Sequence, residues 1–310
     1  MLNSVSDEDT QPASRTFLSQ GLALHYLDWG NERAPLLILI HGSSDHARSW
    51  DWTARALKDR YQVIAVDLRG HGDSQWSPDG AYLVAYHVVD LVELVASLKA
   101  ERVTIVGHSL GGTVASRYAA MYPERVEKLA LIDGFGPSPA SYAKWAAYGA
   151  ARRMRDWVEQ RHTAKRKAAR RLATVQDAAA RMSAANPHLT QAQAHHLAMH
   201  GVRLHPDGYG WKFDPLASQF TSEDFAMEIT NFWDDVTAPT LLCRGTESWS
   251  EDPEVLGQAV HLRQRRSVAI AKAGHWPHHD QFENFIETLR EFLDSPREQR
   301  YPAPVRENNT

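Results

Sequence analysis

A single cysteine, Cys243, is all the thiol chemistry this chain carries. It excludes an internal disulfide and any metal site built from several cysteines. Its place in the apolar run Thr240-Leu241-Leu242-Cys243 reads as a buried strand residue. Long hydrophobic runs are missing too, since none approaches the ~20 residues needed to cross a bilayer. Residues 1–14 are polar, carry Asp7, Glu8 and Asp9 and lack the apolar stretch of a secretory signal, so a cytoplasmic protein without a membrane span is expected. Charge of one sign is also scarce: a net charge of −4 over 310 residues implies no nucleic-acid partner. Internal repeats and low-complexity tracts are absent.

What is present is enough apolar material, 43% of the chain, for a large core. Leu18, Leu22, Leu24 and Tyr26 alternate with polar residues and predict an antiparallel hairpin between Thr16 and Asp28. Leu36-Leu37-Ile38-Leu39-Ile40 is wholly apolar, as in a central strand covered on both faces. A helix to about Leu57, a strand at Val63–Val66, a helix from about Val84 to Lys99 and strands at Val103–Val106 and Val126–Ile132 follow. This alternation predicts a mostly parallel, doubly wound α/β sheet. It stops between Phe135 and about Phe232, where long helical stretches broken by Pro187 contain no convincing strand, and resumes at Pro239–Gly245 and Val268–Ile270 with a closing helix from about Phe282 to Leu293. The expected organisation is a core of residues 15–134 and 236–295, a helical cap of 135–235 inserted after the sixth strand, and flexible termini at 1–14 and 296–310.

Gly107-His108-Ser109-Leu110-Gly111 joins the β-branched run to a helix running from Leu110 to Met121. So sharp a turn crowds its neighbours, so glycine is needed two residues either side of a serine whose hydroxyl is pushed clear of the backbone. At the start of the helix, free N–H groups can hold a developing negative charge. Ser109 is the expected nucleophile.

His41-Gly42, Asp67-Leu68-Arg69-Gly70-His71-Gly72-Asp73-Ser74, Gly107-His108-Ser109-Leu110-Gly111-Gly112 and Ala273-Gly274-His275 each fall at the C-terminal end of an expected strand. In this order they resemble the α/β-hydrolase superfamily over nearly the whole chain, most closely its capped bacterial esterase-like and serine-hydrolase-like members. The resemblance implies His275 as the base and the N–H groups of Ser43 and Leu110 as the oxyanion hole, where a missing donor costs roughly 3 kcal/mol of transition-state stabilisation. It treats the Asp67–Ser74 loop as architectural. Many relatives carry their acid after the strand equivalent to Thr240–Gly245, where Ser248 and Trp249 stand here, with Glu247, Glu251 and Asp252 nearby. Others take it from the position of Asp133. Asp133 is the favoured acid, Glu247 the alternative and Asp252 a further one; Asp133 also fits a cap for the turn at Gly134.

No cofactor and no metal are expected. His195, His196, His278 and His279 show no carboxylate set at ligand spacing, and such pairs are commonly solvated. Ser44, His108, Phe135, Trp145, Trp249 and Trp276 are candidate pocket residues, with Trp157, Trp211, Phe213 and Trp233 as further aromatics that fit either a pocket or a core. The basic run from Ala151 to Arg171, including Arg152, Arg153, Arg155, Lys165, Arg166, Lys167, Arg170 and Arg171, reads as a solvated cap face or an attractor of anions. The leading function is a serine hydrolase acting on a small apolar ester or acyl compound. Lactone, thioester and carbon–carbon bond hydrolysis share the same triad, and a non-catalytic binder of small ligands is the reading from another class.

Overall fold

The apolar runs form the interior of one sheet. In the computed structural model, which describes residues 11–168, 171–219 and 229–296, the strands are Ala13–Ser19 (β1), Leu22–Asp28 (β2), Leu36–Ile40 (β3), Gln62–Val66 (β4), Val103–His108 (β5), Val126–Ile132 (β6), Thr240–Gly245 (β9) and Arg265–Ile270 (β10). They join in the order β1-β2-β4-β3-β5-β6-β9-β10. The β1–β2 and β2–β4 pairs are antiparallel and all the others parallel. Two-residue periodicity sorts the side chains. Ile38, Ile40, Ile105, Leu129 and Leu131 face one layer of core; Leu37, Leu39, Val106, Ala130, Ile132 and Cys243 face the other.

The first layer is closed by Val84–Ser97 (α2) and Leu110–Met121 (α3), the second by Asp51–Leu57 (α1) and Phe282–Asp294 (α10). Lys128, buried on β6, donates from Nζ to the carbonyls of Phe292 and Leu293 and so ties the last turn of α10 to the sheet. Burial pushes the Cys243 thiol well above its ordinary range, leaving it inert. The Asp67–Ser74 loop is architectural, as expected. Asp67 accepts from the backbone N–H groups of Ala47 and Asp73. Burial works to raise its carboxyl, but the hydrogen bond to His25, the nearby His25 and His41 rings and the Asp73 N–H together outweigh that and hold it well below the carboxylate range. Arg69 binds Asp90 through both Nε and Nη2 at 2.6 Å in a buried ion pair.

Between β6 and β9 lie Pro139–Ala146 (α4), Ala150–Ala168 (α5), Val175–Ala185 (α6), Gln191–Gly201 (α7) and Ile229–Trp233 (α8). Capping boxes at Thr174/Asp177 and Thr190/Gln193 start α6 and α7. The expectation that this stretch holds no strand is wrong. Val202–His205 (β7) and Gly208–Trp211 (β8) form an antiparallel hairpin that pairs His205 with Gly208. The signal was the turn Pro206-Asp207-Gly208, with Gly208 at φ 123°.

Two other expectations also change. Ala13 and Ser14, placed in a flexible terminus, pair with Asp28 and Leu27. In β1 it is Phe17, not Leu18, that faces the core; Leu18 is 76% exposed. Residues 1–10, 297–310 and Arg170 fall outside the described residues. Among the described residues no helix is long and apolar enough to cross a membrane.

His278 and His279, expected to be solvated, are buried in Pro277–Asp280 (α9), His278 stacked on Trp50. Burial, then the neighbouring His71, lowers His41 to about 3; burial likewise lowers His279 to about 3 and keeps His278 neutral. Once unfolded, these rings take up protons near pH 6.5. Their contribution is therefore intact above about pH 6.5 and is lost as pH falls toward the folded values. Burial raises the carboxyls of Asp45, Asp133 and Asp280, which work the other way from a starting value nearer 4. The urea midpoint should hold between about pH 8 and 7 and drop steadily from about pH 6.5 to 5; a flat or rising midpoint in that lower interval would contradict the buried neutral state.

Candidate active site

The strand-to-helix turn after β5 is closely packed on both sides. Ser109 stands at φ 50°, ψ −115°, a conformation that costs a non-glycine residue of order 1–3 kcal/mol. It persists because the surrounding backbone leaves no alternative. A Cβ on Gly107 would lie 2.4 Å from the carbonyl oxygen of Gly111, one on Gly111 2.3 Å from that of Ile40, and one on Gly134 2.7 Å from that of Ser109 itself. The Ser109 N–H donates to Ile132 O at 3.0 Å, and Ser109 O accepts from Gly112 N at 3.0 Å. The serine is thus pinned to β6 on one side and to its own helix on the other.

Parallel order brings the other candidates to the same edge of the sheet. Ser109 and His275 line one cleft of about 510 Å³, together with Ser43, His108, Glu247, Trp249 and Trp276. Asp133 follows β6 at φ 45°, with its N–H donating to Cys243 O at 2.8 Å. Its side chain is fully buried, and Oδ2 lies 3.5 Å from His275 Nδ1, an ion-pair distance rather than a formed hydrogen bond. Burial raises this carboxyl, opposed by His275 and Ser248. Glu247 is 53% exposed and pairs with His188 Nε2 at 3.3 Å. Asp252 pairs with Arg244 at 3.6 Å. Among these acids, the contact with His275 is made by Asp133.

The loop after β3 carries the expected oxyanion donor. His41 Nδ1–H donates to Gly42 O at 2.6 Å, and its Nε2 accepts from Leu68 N at 3.0 Å, a consistent neutral tautomer that locks the loop. A Cβ on Gly42 would meet His108 Nδ1 at 2.8 Å and Ser109 Cβ at 3.1 Å, so this loop lies directly against the Ser109 turn. Leu110, the other expected donor, is the first residue of α3. His108 has a structural task as well as a place in the lining: its Nε2–H donates to the carbonyl of His275 at 2.8 Å. Burial, then the nearby His275, keeps His108 neutral.

Of the candidate pocket residues, His108, Trp249 and Trp276 line the cleft, and the Trp249 ring packs 4.4 Å from that of His275. Ser44, Phe135 and Trp145 do not line it. Phe135 is buried in the core layer of α2 and α3, Trp145 sits edge-on to Tyr142 in α4, and Ser44 turns the loop at φ 61°. Trp233 is core, Trp211 stacks on Phe213, and Trp157 donates to Gln219 O. The lining therefore has fewer aromatics than expected and more polar groups. Asn186 and His188 reach in from the segment between α6 and α7, and Asp280, which accepts from Gly274 N at 2.8 Å, comes from α9. These three were not anticipated. The one sequence signal was Pro187, which ends a helix there and leaves its neighbours free to project.

Residues 35–282 match the alpha/beta hydrolase fold family. The chain is 32% identical over 285 residues to an esterase of Mycobacterium tuberculosis, Rv0045c, covering 89% of this chain and 88% of that protein. A solved structure of that esterase superimposes with a TM-score of 0.71 at 30% identity, covering 92% of this chain and 93% of the other. The structure of E-2-(acetamidomethylene)succinate hydrolase has a TM-score of 0.76 at 21% identity, over 92% and 100% of the two chains, a likeness of fold.

The contact at Gly107 is backbone against backbone and no rotamer can relieve it. Gly107→Ala should therefore lower the unfolding free energy by about 1–3 kcal/mol, the range for overpacking. An unchanged urea midpoint would show that the turn is looser than described.

Proposed function

The chain belongs to the alpha/beta hydrolase family, and from that premise we propose that it is a serine hydrolase cleaving a carboxylic ester or related acyl compound through an acyl-enzyme. The observation that carries the reading is the strained Ser109 opening into the cleft that also holds His275, with buried Asp133 3.5 Å behind that imidazole.

In this mechanism Ser109 Oγ attacks the carbonyl carbon while His275 takes its proton. The N–H groups of Ser43 and Leu110 hold the oxyanion, and the proton passes to the departing alcohol. A water molecule, deprotonated by His275, then attacks the acyl carbonyl and releases the acid. Asp133 holds the imidazole tautomer and stabilises the imidazolium. The raised carboxyl of Asp133 fits this role, because a protonated His275 close by would restore the carboxylate. Glu247 is the weaker candidate acid, since it faces solvent and His188. Residues 135–235 act as the cap, closing the cleft through Asn186 and His188. An esterase name on a relative matched along most of its length supports an ester as substrate.

A fluorophosphonate probe should label the wild type and leave Ser109→Ala unlabelled; a folded wild type that does not react would remove the proposal. Asp133→Asn should cut kcat on p-nitrophenyl esters by about 10⁴-fold, while Glu247→Gln stays within a few-fold of wild type. The reverse pattern would transfer the role of acid to Glu247.

A further inference from the structure

Away from the cleft, the chain folds a second group of metal-ligating side chains together. Asp51 opens α1 in the core, and His196 and His200 stand one turn apart on α7, their rings 4.7 Å apart. One ligand atom from each lies within 4.8 Å of the other two. None of the three lines the cleft. We propose that Asp51, His196 and His200 bind a late first-row divalent ion such as Zn²⁺, bridging the core to the inserted helices.

The donor set specifies the class of ion. Two imidazoles and one carboxylate suit Zn²⁺, Ni²⁺ or Co²⁺ and are a poor site for Ca²⁺ or Mg²⁺, which take oxygen. Bonds of about 2.0–2.2 Å require the most separated donors to close by roughly 1 Å, which side-chain rotation of the half-buried histidines supplies. Asp51 has a fully buried side chain whose Oδ1 makes no hydrogen bond, a polar atom left to be satisfied. Its Oδ2 already lies 3.3 Å from His196 Nε2. Trp52 packs edge-on to the His196 ring at 4.6 Å, an apolar wall that favours coordination over hydration. His200 also lines a cavity of about 130 Å³.

Arg48 and Arg55 are the groups that oppose the ion, at 3.2 and 3.9 Å from Asp51 Oδ2. Their side chains are 21% and 34% exposed, so each can swing to water when the cation takes over the neutralisation of Asp51. The site is therefore suited to an ion that binds and leaves rather than to a permanent structural metal.

The test uses the full chain, free of any affinity tag and stripped with chelator, titrated with ZnCl₂ by calorimetry and, in parallel, with Co²⁺ read by its visible ligand-field bands. The expected result is one Zn²⁺ per chain, a rise in Tm on binding and Co²⁺ bands of a histidine-containing site. His196→Gln, His200→Gln and Asp51→Asn should each weaken Zn²⁺ by ~10-fold or more and erase the Co²⁺ bands, with the metal-free Tm of each variant showing that it is folded. His25→Gln, in the separate grouping of His25, Asp67 and Asp73, should leave the affinity as in wild type. Absence of binding in the wild type, retention of binding in both folded α7 histidine variants, or loss in His25→Gln alone would overturn the proposal.

Discussion

The close approach of backbone at Gly107, Gly111, Gly112 and Gly134 is the constraint on which the rest of the molecule depends. It allows α3 to leave β5 almost without a connecting loop, and holds Ser109 in a conformation that costs of order 1–3 kcal/mol. The strain is sustained by a sheet whose central strands are buried on both faces. A weaker scaffold would relax the turn and withdraw the hydroxyl. The opposing face of the same contact is the β3 loop, so the positions of Ser109 and Ser43 are set together.

Around this turn the chain uses neutral histidines as braces. His41 joins the β3 loop to the loop after β4, and His108 joins the Ser109 turn to the loop of His275. An imidazole can donate from one nitrogen and accept at the other, so it links two loops where a lysine would bring a charge into a dry interior. Burial makes each ring reluctant to take a proton. The same chemistry that orders the site makes the fold sensitive to mild acid.

The inserted segment meets the core through contacts of a different kind. His46 to the carbonyl of Leu197, Gln193 to that of His279, Lys212 to Asp73 and His188 to Glu247 are spread along the boundary, most of them partly exposed. Exposed pairs of this sort contribute about 0–1 kcal/mol each. Other contacts are buried: Phe135, Ile229 and Trp233 join the core layer of α2 and α3, and Tyr82 Oη–H donates to Asp214 Oδ2 at 2.7 Å. An ion at Asp51, His196 and His200 would strengthen that boundary at one end.

Much of the sheet was legible from local pattern. Leu36–Ile40 and Val103–Val106 read as strands because wholly apolar runs bounded by turn residues have few other uses, and Gly-x-Ser-x-Gly marks its turn because only glycine tolerates such contacts. Chain order at one sheet edge was enough to put Ser109, His275 and Asp133 in one neighbourhood. The hairpin of β7 and β8 went unread because its strands are short and its side chains half exposed, so alternation was weak. Phe135 looked like a pocket aromatic because a large apolar side chain is the same in a core and in a cleft. Proximity across the chain was decided only by the folded structure: which acid touches His275, that His188 and Asp280 enter the cleft, and that Asp51 meets a histidine pair far away in sequence. The residues carry their chemistry with them, but distances between them are set by packing, which no local pattern contains.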